Sequence, residues 1–192
     1  ESKRAGRVRT AVLSLCLTED EQRELAERYH FDQAGLARMT ILYQAVLPLL
    51  RPQTCFSIRE QKVFCVVTLG AGIDQIQEKC SREGALLDAY ILDCIGSFLL
   101  EKAYQQINML VFKESGLFLQ GLSFPGSDLP ITKMQEILQN FTNKLEKLPI
   151  SCNMACVLTP KKSVVFMAGL GEKRQDCGIC AMCSRVDCEN RR

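Results

Sequence analysis

Lys62-Val-Phe-Cys-Val-Val-Thr-Leu-Gly-Ala-Gly72 is the stretch that decides the fold. Val63 to Leu69 is short, uniformly apolar and rich in β-branched residues, which marks a buried strand. Gly70-Ala71-Gly72 then interrupts the run and opens into a segment where Ile73, Ile76 and Cys80 recur on one helical face. Gly84 ends that helix. A longer one follows from about Ala85 to Met109, apolar around much of its circumference, so it must be covered on more than one side. Gly96 lies inside it at a cost of about 1 kcal/mol against alanine, which close packing against another element would explain.

Toward the N-terminus, Thr18-Glu-Asp-Glu21 has the form of a capping box, with Leu25, Arg28 and Tyr29 following on helical spacing. A second helix runs from about Asp32 with Leu36, Met39, Tyr43, Val46 and Leu50 on one side. Pro48 kinks or ends it, Pro52 excludes continuation, and Arg51 to Thr54 reads as a loop. Toward the C-terminus, Gly116 to Phe124 alternates as a strand and stops at Pro125-Gly126-Ser127. Asp128 and Pro130 then have the form of a helix start, with an amphipathic body from Ile131 to Leu148. Two further strands are expected, Ser151 to Leu158 and Ser163 to Gly169, joined by Thr159-Pro-Lys-Lys162. Strands and helices mix without regular βαβ alternation and without an internal repeat. The expectation is therefore an α+β chain: a single domain with a mainly antiparallel sheet, flanking helices and a cysteine-rich C-terminal tail. Residues 1–15 read as a basic N-terminal tail, 16–172 as the domain, and 173–192 as the tail.

The chain has 192 residues, 47% of them apolar, enough for one substantial core. Its formal net charge is +2, and beyond Lys3, Arg4, Arg7 and Arg9 no basic face is visible, so a dedicated nucleic-acid binder is not expected. No apolar run reaches a membrane span, and no secretory signal is recognisable. The eleven cysteines are odd in number, and most of those outside the tail sit in apolar surroundings, as Cys65 and Cys94 do. They read as small hydrophobes in a reducing compartment, which places the protein in the cytoplasm.

Cys177, Cys180, Cys183 and Cys188 fall within a dozen residues, close enough for one loop to wrap a single metal centre. Four convergent thiolates suit zinc or a small iron–sulfur cluster. The last gap differs from the bacterial ferredoxin run and no proline follows, and a thiol-rich tail without metal is the alternative. Elsewhere the chemistry is sparse. The single histidine, His30, stands at a helix end and reads as structural or surface. Gly70-Ala71-Gly72 lacks the third glycine of a dinucleotide fingerprint and reads as a tight turn. Asp93 and Glu101, eight residues apart on the long helix, are paired, at an edge, or lining a pocket. Lys161 and Lys162 form either a solvated turn or a positive rim for an anionic partner.

Four segments, in order, resemble one family: Val67-Thr-Leu-Gly-Ala-Gly-Ile-Asp74, Leu92-Asp-Cys-Ile-Gly-Ser97 with Glu101, Ser123-Phe-Pro-Gly-Ser-Asp-Leu-Pro130, and Leu158-Thr-Pro-Lys-Lys-Ser-Val164. With the cysteine tail they are similar to stand-alone relatives of the activation domain of cobalamin-dependent methionine synthase. The resemblance covers roughly residues 60 to 192 and implies a twisted antiparallel sheet. It also implies docking on a corrinoid protein or corrinoid-binding methyltransferase, and support for reductive reactivation of its cobalt. It points to Glu101, Pro125, Gly126, Ser127, Pro160 and Ser163 as ligand- or corrinoid-facing residues. The family pattern has an arginine ahead of a Pro-Gly-Tyr turn, whereas here Leu122 and Ser127 stand at the arginine and tyrosine positions. The missing charged fork puts S-adenosylmethionine binding in doubt. An iron–sulfur cluster on the tail would make the protein its own electron carrier. Zinc there would make it a non-catalytic scaffold. An S-adenosylmethionine-binding activation subunit is the third reading.

Overall fold

The computed structural model describes residues 7–141 and 148–174. Five strands form one antiparallel sheet: β1 (Val8–Val12), β2 (Gln53–Arg59), β3 (Lys62–Thr68), β4 (Phe118–Ser123) and, last in the chain, β7 (Ser163–Gly171). Their spatial order is β1-β2-β3-β7-β4, so β7 lies between β3 and β4. The segment Val63 to Leu69 is thus the middle of the sheet. Alternate residues explain its unbroken apolarity. Val63, Cys65 and Val67 join a large core on one face, and Val66 joins a smaller one on the other. A strand covered on both sides needs no polar alternation.

The large core lies under four helices, α1 (Glu19–Arg28), α2 (Gln33–Val46), α3 (Gly72–Arg82) and α4 (Leu86–Ser115). Thr18 and Glu21 close a full capping box on α1, and Asp32 caps α2 by accepting from the Gly35 amide. A 3-10 turn, Leu47–Leu49, ends α2 at Pro48. The start of α3 comes so near that turn that a Cβ at Gly72 would lie 2.6 Å from Leu49 Cβ and 2.7 Å from its carbonyl oxygen. No side chain fits there. α4 is buried along most of its length, as its composition requires, and runs past Met109 to Ser115, because no breaker precedes Gly116, which caps it with φ 74°. Among the described residues no helix is long and apolar enough to cross a membrane. The opposite face of the sheet is covered by α5 (Lys133–Gln139), with Met134, Ile137 and Leu138, and by a small hairpin of β5 (Ser151–Cys152) and β6 (Leu158–Thr159).

Four expectations change. Within the stretch read as a basic tail, residues 8–12 pair with β2 as an edge strand, and Arg9 bonds to Glu114 of α4 instead of standing in solvent. The loop read at Arg51 to Thr54 already contains the start of β2. Asp128 does not cap a helix; its carboxylate accepts from the Phe124 amide at 2.6 Å and closes the turn, and α5 begins only after Thr132. Ser151 to Leu158 is not one strand. Asn153 Oδ1 accepts from both the Ala155 and Val157 amides at 3.0 Å, folding the run back on itself.

Candidate functional site

Two chain reversals and the junction from β3 to α3 share one end of the sheet. β3 and β7 pair Thr68 with Ser163, so the C-terminal end of β3 and the N-terminal end of β7 coincide. β4 pairs Ser123 with Met167, so its C-terminal turn leaves in the same direction. That turn holds Pro125, Gly126 and Ser127. Gly126 donates to the Leu129 carbonyl at 2.8 Å with φ 87°, and the Ser127 and Leu129 amides both donate to the Phe124 carbonyl. Gly126 and Ser127 are exposed.

The second reversal, Pro160 to Ser163, is built from buried polar contacts. Ser163 Oγ donates to Thr68 Oγ1 at 2.8 Å, and Thr68 Oγ1 also accepts from the Gly70 amide at 3.1 Å. The Lys161 amide donates to Asp74 Oδ2 at 2.7 Å, which joins this turn to the first turn of α3; Asp74 Oδ1 is buried without a hydrogen-bond partner among the described residues. Lys162, expected on a solvated turn or a positive rim, is only 8% exposed. Its ammonium bonds to Asp93 Oδ1 at 2.9 Å and Ser97 Oγ at 3.1 Å, and its stem fills the space over Gly96. The close approach expected at Gly96 is therefore made by a lysine stem.

Glu101 lies two turns further along α4. Arg28 Nη1 donates to both of its carboxylate oxygens at 3.0 Å, Arg28 Nη2 donates to Glu24, and the guanidinium sits 5.1 Å from the Phe98 ring centre. Burial alone would lower the Arg28 pKa, but Glu101 and then Glu24 outweigh it and hold the cation above its ordinary value. Glu101 is thus committed to an internal pair. The next helical turn carries Tyr104, whose ring meets Phe166 of β7 at 5.4 Å and Phe124, next to Pro125, at 6.3 Å. Through these rings the Glu101 region of α4, the Pro125 turn and the start of β7 belong to one packed corner.

Leu122 is 1% exposed within the large core. An arginine there would bury an unpaired charge unless the strand re-aimed it. Ser127 offers a hydroxyl and no ring. His30 is exposed, with φ 57°, at the end of α1. Burial pushes the Cys65 thiol far above its ordinary pKa and the Cys94 thiol up to about 11, so neither is a ready nucleophile. Among the described residues no group of three or more His, Cys, Asp or Glu side chains gathers as a metal site. Cys177, Cys180, Cys183 and Cys188 lie outside the described residues. The corner's carboxylates, Asp74 and Glu101, each accept from a neighbouring N–H donor. Arg28, Asp74 and Lys162 carry its polar structure. The residues are visible in the sequence but their pairings are not, because the partners come from distant segments.

No protein-family model and no curated protein matches the chain. Among solved structures the fold is similar to the crystal structure of the MetH reactivation domain bound to AdoHcy, with a TM-score of 0.52 over 90% of this chain and 81% of that one. The identity is 8%, so the likeness is one of fold. It agrees with the fold expected from the sequence resemblance: an α+β chain with an antiparallel sheet and flanking helices.

Proposed function

We propose that the protein is an activation subunit that docks on a corrinoid-binding methyltransferase, or on its separate corrinoid protein, and helps return oxidised cobalt to its active state. The observation that carries this reading is the fold likeness to the MetH reactivation domain, which extends over 90% of the chain. The packed corner supports it. Gly126 and Ser127 of the first turn are exposed, and the Pro160–Ser163 turn at the same end of the sheet is fixed by Thr68 and Asp74. A hydrogen-bonded rim of this kind suits docking. The proposed place of action is the cytoplasm.

S-adenosylmethionine does not fit the positions that the resemblance assigns to it. Leu122 points into the core, Ser127 lacks a ring, and Glu101 is already neutralised by Arg28. No step is drawn through that ligand. The electron needed by cobalt is assigned instead to the tail, where Cys177, Cys180, Cys183 and Cys188 would hold an iron–sulfur cluster. Such clusters reach the low potentials that reductive activation needs.

The experiment is anaerobic. The purified protein is mixed with a corrinoid protein carrying oxidised cobalt, and capture and the rate of return to the active state are measured. Co-purification with faster reactivation is expected; absence of binding overturns the proposal. The closed Glu101–Arg28 pair and the buried Leu122 favour a second reading, a scaffold module clipped by zinc at the same four cysteines. A brown protein containing iron and sulfide supports the first reading, and a colourless one with a single zinc supports the second.

A further inference from the structure

On the face of the sheet away from α1 to α4, the β5–β6 hairpin and α5 bring three sulfur atoms together. Cys152 Sγ lies 3.8 Å from Met134 Sδ, and Cys156 packs against the same smaller core beside Cys152. The two cysteines flank a braced loop. The Asn153 amide donates to the Val157 carbonyl at 3.1 Å, and the Cys156 amide donates to the Asn153 carbonyl at 3.0 Å. Cys156 adopts φ 59°, a left-handed conformation that non-glycine residues take up only when the surroundings hold them there. Met134 is buried in the smaller core, and both cysteines are half-buried against it. Met154, at the tip of the same loop, is fully exposed.

The Cys152–Met134 spacing suits a metal. Three sulfur ligands at ~2.3 Å from one ion in a plane stand about 4 Å apart. The donor set selects which metal. Zinc takes thiolate, imidazole or carboxylate ligands, whereas two thiolates with a thioether are soft and favour copper in its monovalent state. The smaller core against which the cysteines pack, with Ile137, Leu138 and Leu158, is apolar, and a soft, weakly hydrated ion tolerates such surroundings better than a hard one.

We propose that Cys152, Cys156 and Met134 form a binding site for one copper(I) ion. Uptake converts two thiols and one Cu⁺ into an anionic bis-thiolate complex with release of two protons, and the thioether adds as a neutral third ligand. No electron is transferred. The site does not depend on the corrinoid reading or on the C-terminal cysteines.

The C-terminal cysteines would compete for copper, so the test removes them first. The full chain carrying C177S, C180S, C183S and C188S is titrated under anaerobic conditions with Cu(I) held by a chromogenic chelator. One equivalent is expected to leave the chelator. That equivalent is lost when C152S and C156S are added. Met134→Leu, which keeps the volume of the core, is expected to weaken it about tenfold. Copper X-ray absorption should count three sulfur neighbours, falling to two in Met134→Leu. Absence of uptake in the first variant, or uptake unaffected by C152S and C156S, overturns the site. Unchanged affinity and sulfur count in Met134→Leu overturn the role of the thioether, even where the cysteine variants fold poorly.

Discussion

A lysine stem lying over a glycine sets how closely α4 approaches the end of the sheet. A Cβ at position 96 would lie 2.8 to 3.0 Å from Cε, Cδ and Cγ of Lys162, whose ammonium is pinned by Asp93 and Ser97. Gly96→Ala gains about 1 kcal/mol of helix propensity but displaces a fixed, buried chain, and overpacking costs about 1–3 kcal/mol. A net loss of about 1 kcal/mol is expected in urea unfolding. In a Lys162→Ala background the obstacle is gone, so the same change should stabilise by about 1 kcal/mol. A loss in both backgrounds would refute this account of Gly96. Half of this arrangement is readable in the sequence, because glycine inside a helix calls for a close neighbour. The other half is not, since Lys161-Lys162 in a strand connection has the form of a solvated turn, and only the fold brings Asp93 to it. Glu101 teaches the same lesson. Its place on an apolar helix implies a partner, but Arg28 lies 73 positions away. Glu101→Gln is expected to cost about 1–2 kcal/mol, because charge-assisted hydrogen bonds are the stronger kind. Arg28→Lys should recover only part of the interaction, having no planar group to lie against Phe98.

Among the elements, α1 shows how a local signal becomes a tertiary one. The Thr18–Glu21 capping box is legible from spacing alone, and Thr18→Ala should cost about 1 kcal/mol. The structure adds Lys102 of α4, which also bonds to Glu21 and so ties the start of α1 to the long helix. Burial pushes the Glu21 carboxyl up, but Lys102 and Thr18 together outweigh it and hold it below its ordinary value. Arg38 does the same for Asp88, its hydrogen bond and charge outweighing the burial that would raise it. Both carboxyls are depressed in the folded protein. Their contribution is therefore complete above the ordinary carboxylate range and is lost as pH falls through the lower folded values. Unfolding free energy measured from pH 7 down to pH 3 should decline on the acid side, and Glu21→Gln should flatten that decline. An unchanged slope would remove Glu21 from the explanation. Strands were harder to read than helices. β1 and β2 lack a strong alternating pattern, and β5 and β6 are two-residue pieces whose division depends on Asn153 Oδ1, an interaction that no periodicity reveals.

At the scale of the whole molecule, β7 contributes to both cores, Phe166 and Ala168 to the larger and Val165 to the smaller. A chain ending at Lys161 should show no cooperative transition. The position of β7 is the reason. It enters between β3 and β4, and its first residue bonds to Thr68, 95 positions earlier. Until Ser163 and its successors arrive, β3 has one bare edge and β4 has no strand partner at all. Both offer apolar backbone to any neighbouring chain. During synthesis, then, the protein is most exposed to aggregation just before its sheet closes. A ribosome paused ahead of Ser163 would hold a nascent chain with every helix through α5 synthesised but without the strand that joins β3 to β4, a natural client for a chaperone that recognises open strand edges.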